Sequence, residues 1–344
     1  MKSEFRTNII FTSLLLASSM AAADVTVISF GGAGQKGQQK AYYDPFTKAT
    51  GVKIVMGEYN GEQAKIKAMV EAGNVTWDVV DVEQPELLRG CEEGLYEKLD
   101  LSKLRDKKDM IPGTLSDCGV GNMIWTMALT YNKDKLSTPP RNWADFWNVG
   151  KYPGKRGLRK GAKFTLEFAL LADGVKSQDI YKELRTKAGV DKAFRKLDQI
   201  KPNILFWETG AQAPQLLASG DLVMSAAYNG RISAAVKEGK NLEIVWNESI
   251  YDLDSWAIVK GSKNVDNSHR FISFASQPEN QKIYSNELPY GPTNINAIPL
   301  LDAKAARELP THPSNMKGAM EMSTKFWVEH GEDLEQRFNA WASK

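Results

Sequence analysis

Cysteine and histidine are nearly missing from this chain of 344 residues, with two of the first and three of the second. Two cysteines, Cys91 and Cys118, exclude a disulfide-dense scaffold, and neither has a partner at metal-ligand spacing, which speaks against zinc. The histidines, His269, His312 and His330, fall in polar segments predicted to be exposed, with no nucleophile pattern beside them. Neither G-x-S-x-G nor H-E-x-x-H occurs, so the common hydrolytic layouts are absent. Charge of one sign is lacking too: 44 basic against 42 acidic side chains leave a net charge of +2. Without a basic excess there is no long-range pull toward nucleic acid or anionic lipid. Beyond the N-terminus no apolar run is long and uninterrupted enough to span a bilayer.

What is present begins at that N-terminus. Lys2 and Arg6 precede a short apolar run at 9–16, and Ala21, Ala22 and Ala23 place small residues where signal peptidase requires them. Residues 1–23 therefore read as a secretory signal cleaved after Ala23. The run is too short for a membrane anchor, which needs roughly 20 apolar residues. Export from the cytoplasm follows, and nucleotide cofactors and nucleic acid are scarce outside it. In an exported chain two cysteines are most simply read as one disulfide, the alternative being two buried thiols. Closing about 27 residues would remove denatured-state entropy worth roughly 3.5 kcal/mol.

Strand-like segments at 25–30, 52–55 and 77–82 alternate with helical ones at 35–50, 64–72 and 85–93. This alternation predicts an α/β fold with a parallel sheet covered on both faces. Ligands of such sheets lie beyond the C-terminal strand ends, which here carry Phe30, Gly31 and Gly32, then Gly57 and Glu58, then Val82, Glu83 and Gln84. Further on, helices are expected at 166–173, 180–187 and 190–200. Strands at 204–207 and 222–227 alternate with helices at 213–219 and 232–238. A strand at 255–259 precedes a mostly helical remainder. The length exceeds what one core usually serves, so two lobes are expected. No linker-like stretch separates them, which suggests a chain that crosses between lobes more than once.

Residues 32–37 match the dinucleotide fingerprint G-x-G-x-x-G after a strand, with Glu58 near the place of a ribose-binding acid. An exported NAD(P)-dependent oxidoreductase is the enzyme reading this allows, and export itself argues against it. Tyr42 and Tyr43 lie inside the first helix, where packing is the simpler role than iron binding. Trp207, Tyr228 and Arg231 follow second-half strands and open helices, so they should face the interlobe cleft. A cation such as Arg231 near a helix N-terminus is electrostatically misplaced unless an anion meets it. Asp252 and Asp254 alternate along a strand, point the same way and suit an amine.

The order of five segments behind a secretory signal resembles the periplasmic solute-binding proteins of polyamine-type ABC importers. They are Trp143-Ala-Asp-Phe-Trp147, Tyr152-Pro-Gly-Lys-Arg-Gly157, Tyr228-Asn-Gly230, Asp254-Ser-Trp-Ala-Ile258 and Tyr290-Gly-Pro-Thr-Asn294. The resemblance implies the two-lobed type II periplasmic binding protein fold, each lobe a sheet flanked by helices, with ligand in the cleft. It implies lobe 1 at 24–130 and 256–299, and lobe 2 at 131–255 and 300–344. It implies no enzyme and no cofactor, a monomer, and a membrane permease and ATPase as partners. The family's amine-holding Asp matches Asp254, its aromatic before Asn-Gly matches Tyr228, and its cleft tyrosine matches Tyr290. Its aromatic and hydroxyl pair after the first strand falls on Gly31 and Gly32. Two acids of polyamine binders fall on Gly161 and Phe164, and a small residue after Asn-Gly is Arg231. One cation gained and two acids lost favour an ω-amino acid such as γ-aminobutyrate (GABA), with putrescine or spermidine as the alternative.

Overall fold

The computed structural model describes residues 24–344, so the signal segment and its cleavage after Ala23 lie outside the described residues. Eight strands form one continuous path in the order β2-β1-β3-β8-β4-β7-β5-β6. They are β1 (Val25–Ser29), β2 (Ile54–Glu58), β3 (Val79–Glu83), β4 (Gly119–Asn132), β5 (Arg156–Arg159), β6 (Ile204–Trp207), β7 (Met224–Tyr228) and β8 (Leu242–Ile258). Short strands β9 (Gly291–Pro292) and β10 (Met320–Glu321) attach to β4 and β8. The outer triplets β2-β1-β3 and β7-β5-β6 are parallel, as helical crossovers dictate. Between them β8 runs antiparallel to β3 and to β4, and β4 antiparallel to β7. The first three strands pair in parallel as expected, within a sheet that is mixed as a whole.

Those two central strands were not legible as such. β4 is buried almost throughout, so its side chains do not alternate between apolar and polar. β8 carries Asn247, Glu248, Asp252 and Asp254 within 17 residues, where only its last few read as a strand. Register shifts at Gly121/Met123 and Met127/Leu129 bend the β4–β8 ladder between the two triplets. Each triplet packs its own helices, and the fold is two-lobed with β4 and β8 shared.

The first helix begins earlier than expected, at Gly32, and runs through a wider turn at Gln39–Tyr43 into Asp44–Thr50. Gly31 and Gly32 have φ of 61° and 56°, which turns the chain from β1 into the helix within two residues that glycine alone adopts freely. Helix Trp143–Trp147 starts because the Asn142 side chain accepts from the Asp145 N–H, and helix Thr324–Ala342 because Ser323 accepts from Phe326 N–H. Tyr42 and Tyr43 are buried, Tyr42 edge-on to Trp256 and Tyr43 donating to Gln38 Oε1 at 2.8 Å, so both are core residues. His269 corrects an expectation: it is buried on helix Val265–Ala275, where its Nε2 accepts from the Asp100 N–H. Cys91, in helix Gln84–Glu92, is bonded to Cys118, just before β4. Among the described residues no helix is long and apolar enough to cross a membrane.

Candidate ligand-binding site

A cavity opens where the strand ends of both lobes converge, walled by aromatic rings and by charge of both signs. Trp125 of β4 stands at its centre, its ring edge-on to Phe164 at 5.7 Å and to Tyr228 at 5.1 Å. Its Nε1–H donates to Asp254 Oδ1 at 2.7 Å. Phe30, Met123, Tyr284 and Tyr290 also line the cavity. Such a mixture of apolar walls and few convergent polar groups is typical of small-molecule sites.

Three buried carboxylates face this space: Asp81 and Glu83 from β3 and Asp254 from β8. Glu83 and Asp254 are direct cross-strand neighbours, an unfavourable pairing of like charges. Glu83 is answered by cations from the other lobe, since Lys163 bonds it and Arg159 Nη1 lies 3.4 Å from it. Burial alone would raise its carboxyl, but Lys163 and Arg159 outweigh that and hold it below the usual range. Among the described residues Asp254 and Asp81 have only neutral hydrogen-bond donors. Trp125 serves the first; Gln38 Nε2 at 2.7 Å and Asn122 Nδ2 at 3.1 Å serve the second. Burial, with Asp81 and Glu83 nearby, lifts Asp254 well above an ordinary aspartate. Burial pushes Asp81 up to about 7, against the pull of Asn122, Gln38 and Arg231 and with a push from Glu83.

Arg231 supplies the opposite sign. It projects from the first turn of helix Asn229–Lys237, is 7% exposed, and crosses the cleft so that Nη2 donates to the Phe30 carbonyl at 3.1 Å. Its Nη1 is buried and forms no well-aligned hydrogen bond among the described residues. Tyr290 sits beside it, its hydroxyl pushed up to about 12 by burial in spite of the guanidinium.

Of the residues expected in the site, Arg231, Asp254, Tyr228 and Tyr290 line the cavity together. Asp252 lies one pleat away, opposite Trp125, buried with Oδ2 unpartnered. Trp207 backs the wall, its ring 5.9 Å from Tyr228. Gln84 is turned to Ser255 Oγ at 2.8 Å. Gly31 lies against the Glu58 carboxylate and Gly32 against the Arg231 guanidinium. The glycine run that fits a dinucleotide fingerprint is thus covered by this chain's own side chains, for Gly37 abuts Leu288 and Tyr284. Sequence reasoning placed Glu83 at a ligand-facing strand end but missed Asp81, Trp125 and Arg159. An aspartate inside the apolar run of β3 was the available signal for Asp81, since unpaired acids are rarely buried.

Two lobes that share strands and enclose a charged cavity define a solute-binding protein. The chain belongs to the bacterial extracellular solute-binding proteins, matching their family model over residues 41–311. These proteins bind small ligands and work with the membrane permease and ATPase of an ABC importer. The chain is 57% identical over 328 residues to the gamma-aminobutyric acid-binding protein of Pseudomonas aeruginosa, covering 95% of this chain and 93% of that one. It is 23% identical over 280 residues to the spermidine/putrescine-binding periplasmic protein of Salmonella typhimurium, covering 78% of each. A solved structure described as the Atu4243-GABA receptor superposes with a TM-score of 0.83 at 35% identity, over 93% of this chain and 98% of that one.

Proposed function

We propose that this cleft captures a short ω-amino acid, with γ-aminobutyrate the first candidate, for delivery to an ABC permease from the periplasm. The observation that carries the reading is the bipolar cavity: a buried guanidinium whose Nη1 has no well-aligned partner among the described residues, and two buried carboxylates, Asp81 and Asp254, hydrogen-bonded there by neutral groups alone. Asp254 takes the ammonium, aided by Asp81. Arg231 takes the carboxylate through paired N–H donors, whose planar geometry matches that group. The rings of Tyr228 and Trp125 flank the aliphatic stem, with Trp207 behind and Tyr290 across the cleft. Asp252 shapes the charge from one pleat away. Gly31 and Gly32 keep the turn above Arg231 bare, and Gln84 fixes Ser255 beside Asp254. A zwitterion adds no net charge, so both ends are desolvated against a partner. The relationship to the P. aeruginosa γ-aminobutyric acid-binding protein supports the same ligand.

Closure follows from where these groups sit. Lobe 1 comprises 24–130 and 256–299, lobe 2 comprises 131–255 and 300–344, and Arg231 reaches from the second onto the first. A ligand favours the closed form only through contacts it makes there and not when open. The protein acts as a monomer in this scheme, and residues 1–23 direct it to the periplasm.

Putrescine is the second reading, favoured by the two carboxylates that lack cations and by the polyamine-binding relative. A diamine would place its second ammonium against Arg231, a like-charge contact costing several kcal/mol. Calorimetry with both ligands decides. The native protein is expected to bind γ-aminobutyrate at least ten-fold more tightly than putrescine, and Arg231→Ser to lose that preference. A native preference for putrescine would sink the ω-amino acid reading.

A further inference from the structure

We propose that Gly34 is a specificity-determining position, with Gly32 beside it: the missing side chains leave the slot into which Arg231 lays its guanidinium. The inference rests on Arg231 facing the ligand, as proposed above, and not on which ligand that is. A Cβ at Gly34 would lie 2.9 Å from Arg231 Nη2 and 3.2 Å from Cζ. A Cβ at Gly32 would lie 2.8 Å from Nη1. Both nitrogens of the fork are therefore in contact with bare backbone, one per glycine. Nη2 closes the arrangement by donating to the carbonyl of Phe30, the residue after β1.

The two glycines have different reasons to exist. Gly32 has a φ of 56°, so its turn alone accounts for it. Gly34 lies inside helix Gly32–Gln38 with no such backbone demand, and glycine there is less stable than alanine. What its replacement would meet is the guanidinium of a residue 197 positions away on the other lobe. Arg231 is buried but lines the cavity beside Tyr228 and Tyr290, so its flexible tip would be displaced into the space proposed for the ligand. A methyl group at position 34 would lift the guanidinium off the Phe30 carbonyl and out of register with a ligand carboxylate. Selectivity for an anionic end thus depends on two loci, the arginine on lobe 2 and the bare helix on lobe 1.

The test is a double-mutant cycle of native protein, Gly34→Ala, Arg231→Ala and the pair. Each is titrated by calorimetry with whichever of γ-aminobutyrate and putrescine the native protein binds more tightly. Gly34→Ala is expected to change native affinity ten-fold or more, a loss for γ-aminobutyrate. In the Arg231→Ala background the same change should be under two-fold. If Arg231→Ala binds too weakly to titrate, Arg231→Lys takes its place, since a compact ammonium leaves the space above Gly34 open. The ligand-free melting temperature of Gly34→Ala should equal or exceed the native value, which separates a lost slot from a damaged fold. An equal loss in both backgrounds would show that Gly34 acts through the backbone and overturn the proposal, as would an unchanged native affinity. If the native protein prefers putrescine, the ω-amino acid function fails. The slot is then judged on the same coupling, since expelling the guanidinium should tighten diamine binding only while Arg231 is present.

Discussion

Asp254 and Asp81 are buried acids whose hydrogen-bond partners are all neutral, and that sets how the site responds to pH. Facing them are Glu83 from β3, Asp252 from β8 and Arg231 from the opposite lobe. Burial favours the protonated acid, while a bound ammonium favours the carboxylate. Binding should therefore release protons near the ligand-free pKa, about 7 for Asp81, and down to the lower pKa of the bound form. Amine affinity should hold above that pH and fall as the pH drops through it. Titrations from pH 5 to 8 in buffers of different ionisation enthalpy would count the protons released. The same experiments on Asp254→Asn should show affinity reduced by tens-fold or more, since losing one member of a desolvated charge pair costs about 2–5 kcal/mol. Unchanged affinity in that variant would remove Asp254 from the site.

At the level of elements, four side chains from four segments form an ion-pair cluster beside the cavity. Glu83 ends β3, Glu86 lies in the first turn of helix Gln84–Glu92, Arg159 ends β5, and Lys163 precedes helix Thr165–Ala172. Lys163 Nζ lies 2.9 Å from Glu86 Oε1 and also bonds Glu83. Phe164 adopts a φ of 71°, uncommon for a bulky residue, and this turn sends Lys163 toward the acids while its ring meets Trp125. In the lobe division proposed above every pair in the cluster joins one lobe to the other, so opening would break all of them. Lys163→Met leaves Glu83 facing Arg159 alone, and an incompletely paired buried charge is costly. The variant should stay folded but favour the open form, with affinity down about ten-fold and a larger ligand-free radius in X-ray scattering. Native-like affinity and scattering together would mean that the cluster contributes nothing to closure.

For the whole molecule, the Cys91–Cys118 bridge ties helix Gln84–Glu92 to the start of β4, one of the two strands that both lobes share. It closes 27 residues and lies apart from the cavity-lining side chains. Replacing both cysteines by serine should cost roughly 3.5 kcal/mol of stability through the freer unfolded chain. Ligand affinity should not change, which calorimetry below the lowered melting temperature can check. A loss of affinity without loss of stability would reverse that division of roles.

Much of this protein is written locally. Apolar runs bounded by turn residues mark β1, β3 and β6, and capping side chains such as Asn142 mark helix starts, because neighbours along the chain make those contacts. Arg231, Asp254, Tyr228 and Tyr290 could be picked out because each carries chemistry at a strand end or helix start, where α/β folds place ligands. The long strands β4 and β8 could not. Burial on both faces erases the alternation of β4, and polar residues such as Asn247 and Glu248 make the first part of β8 look like loop. Asp81, Trp125 and Arg159 joined the site only in three dimensions, as did the meeting of Arg231 with Phe30 across 201 positions of sequence. Those contacts exist because two lobes close on each other. A pairing that distant leaves no periodicity or spacing in either segment, so only the folded chain could decide it.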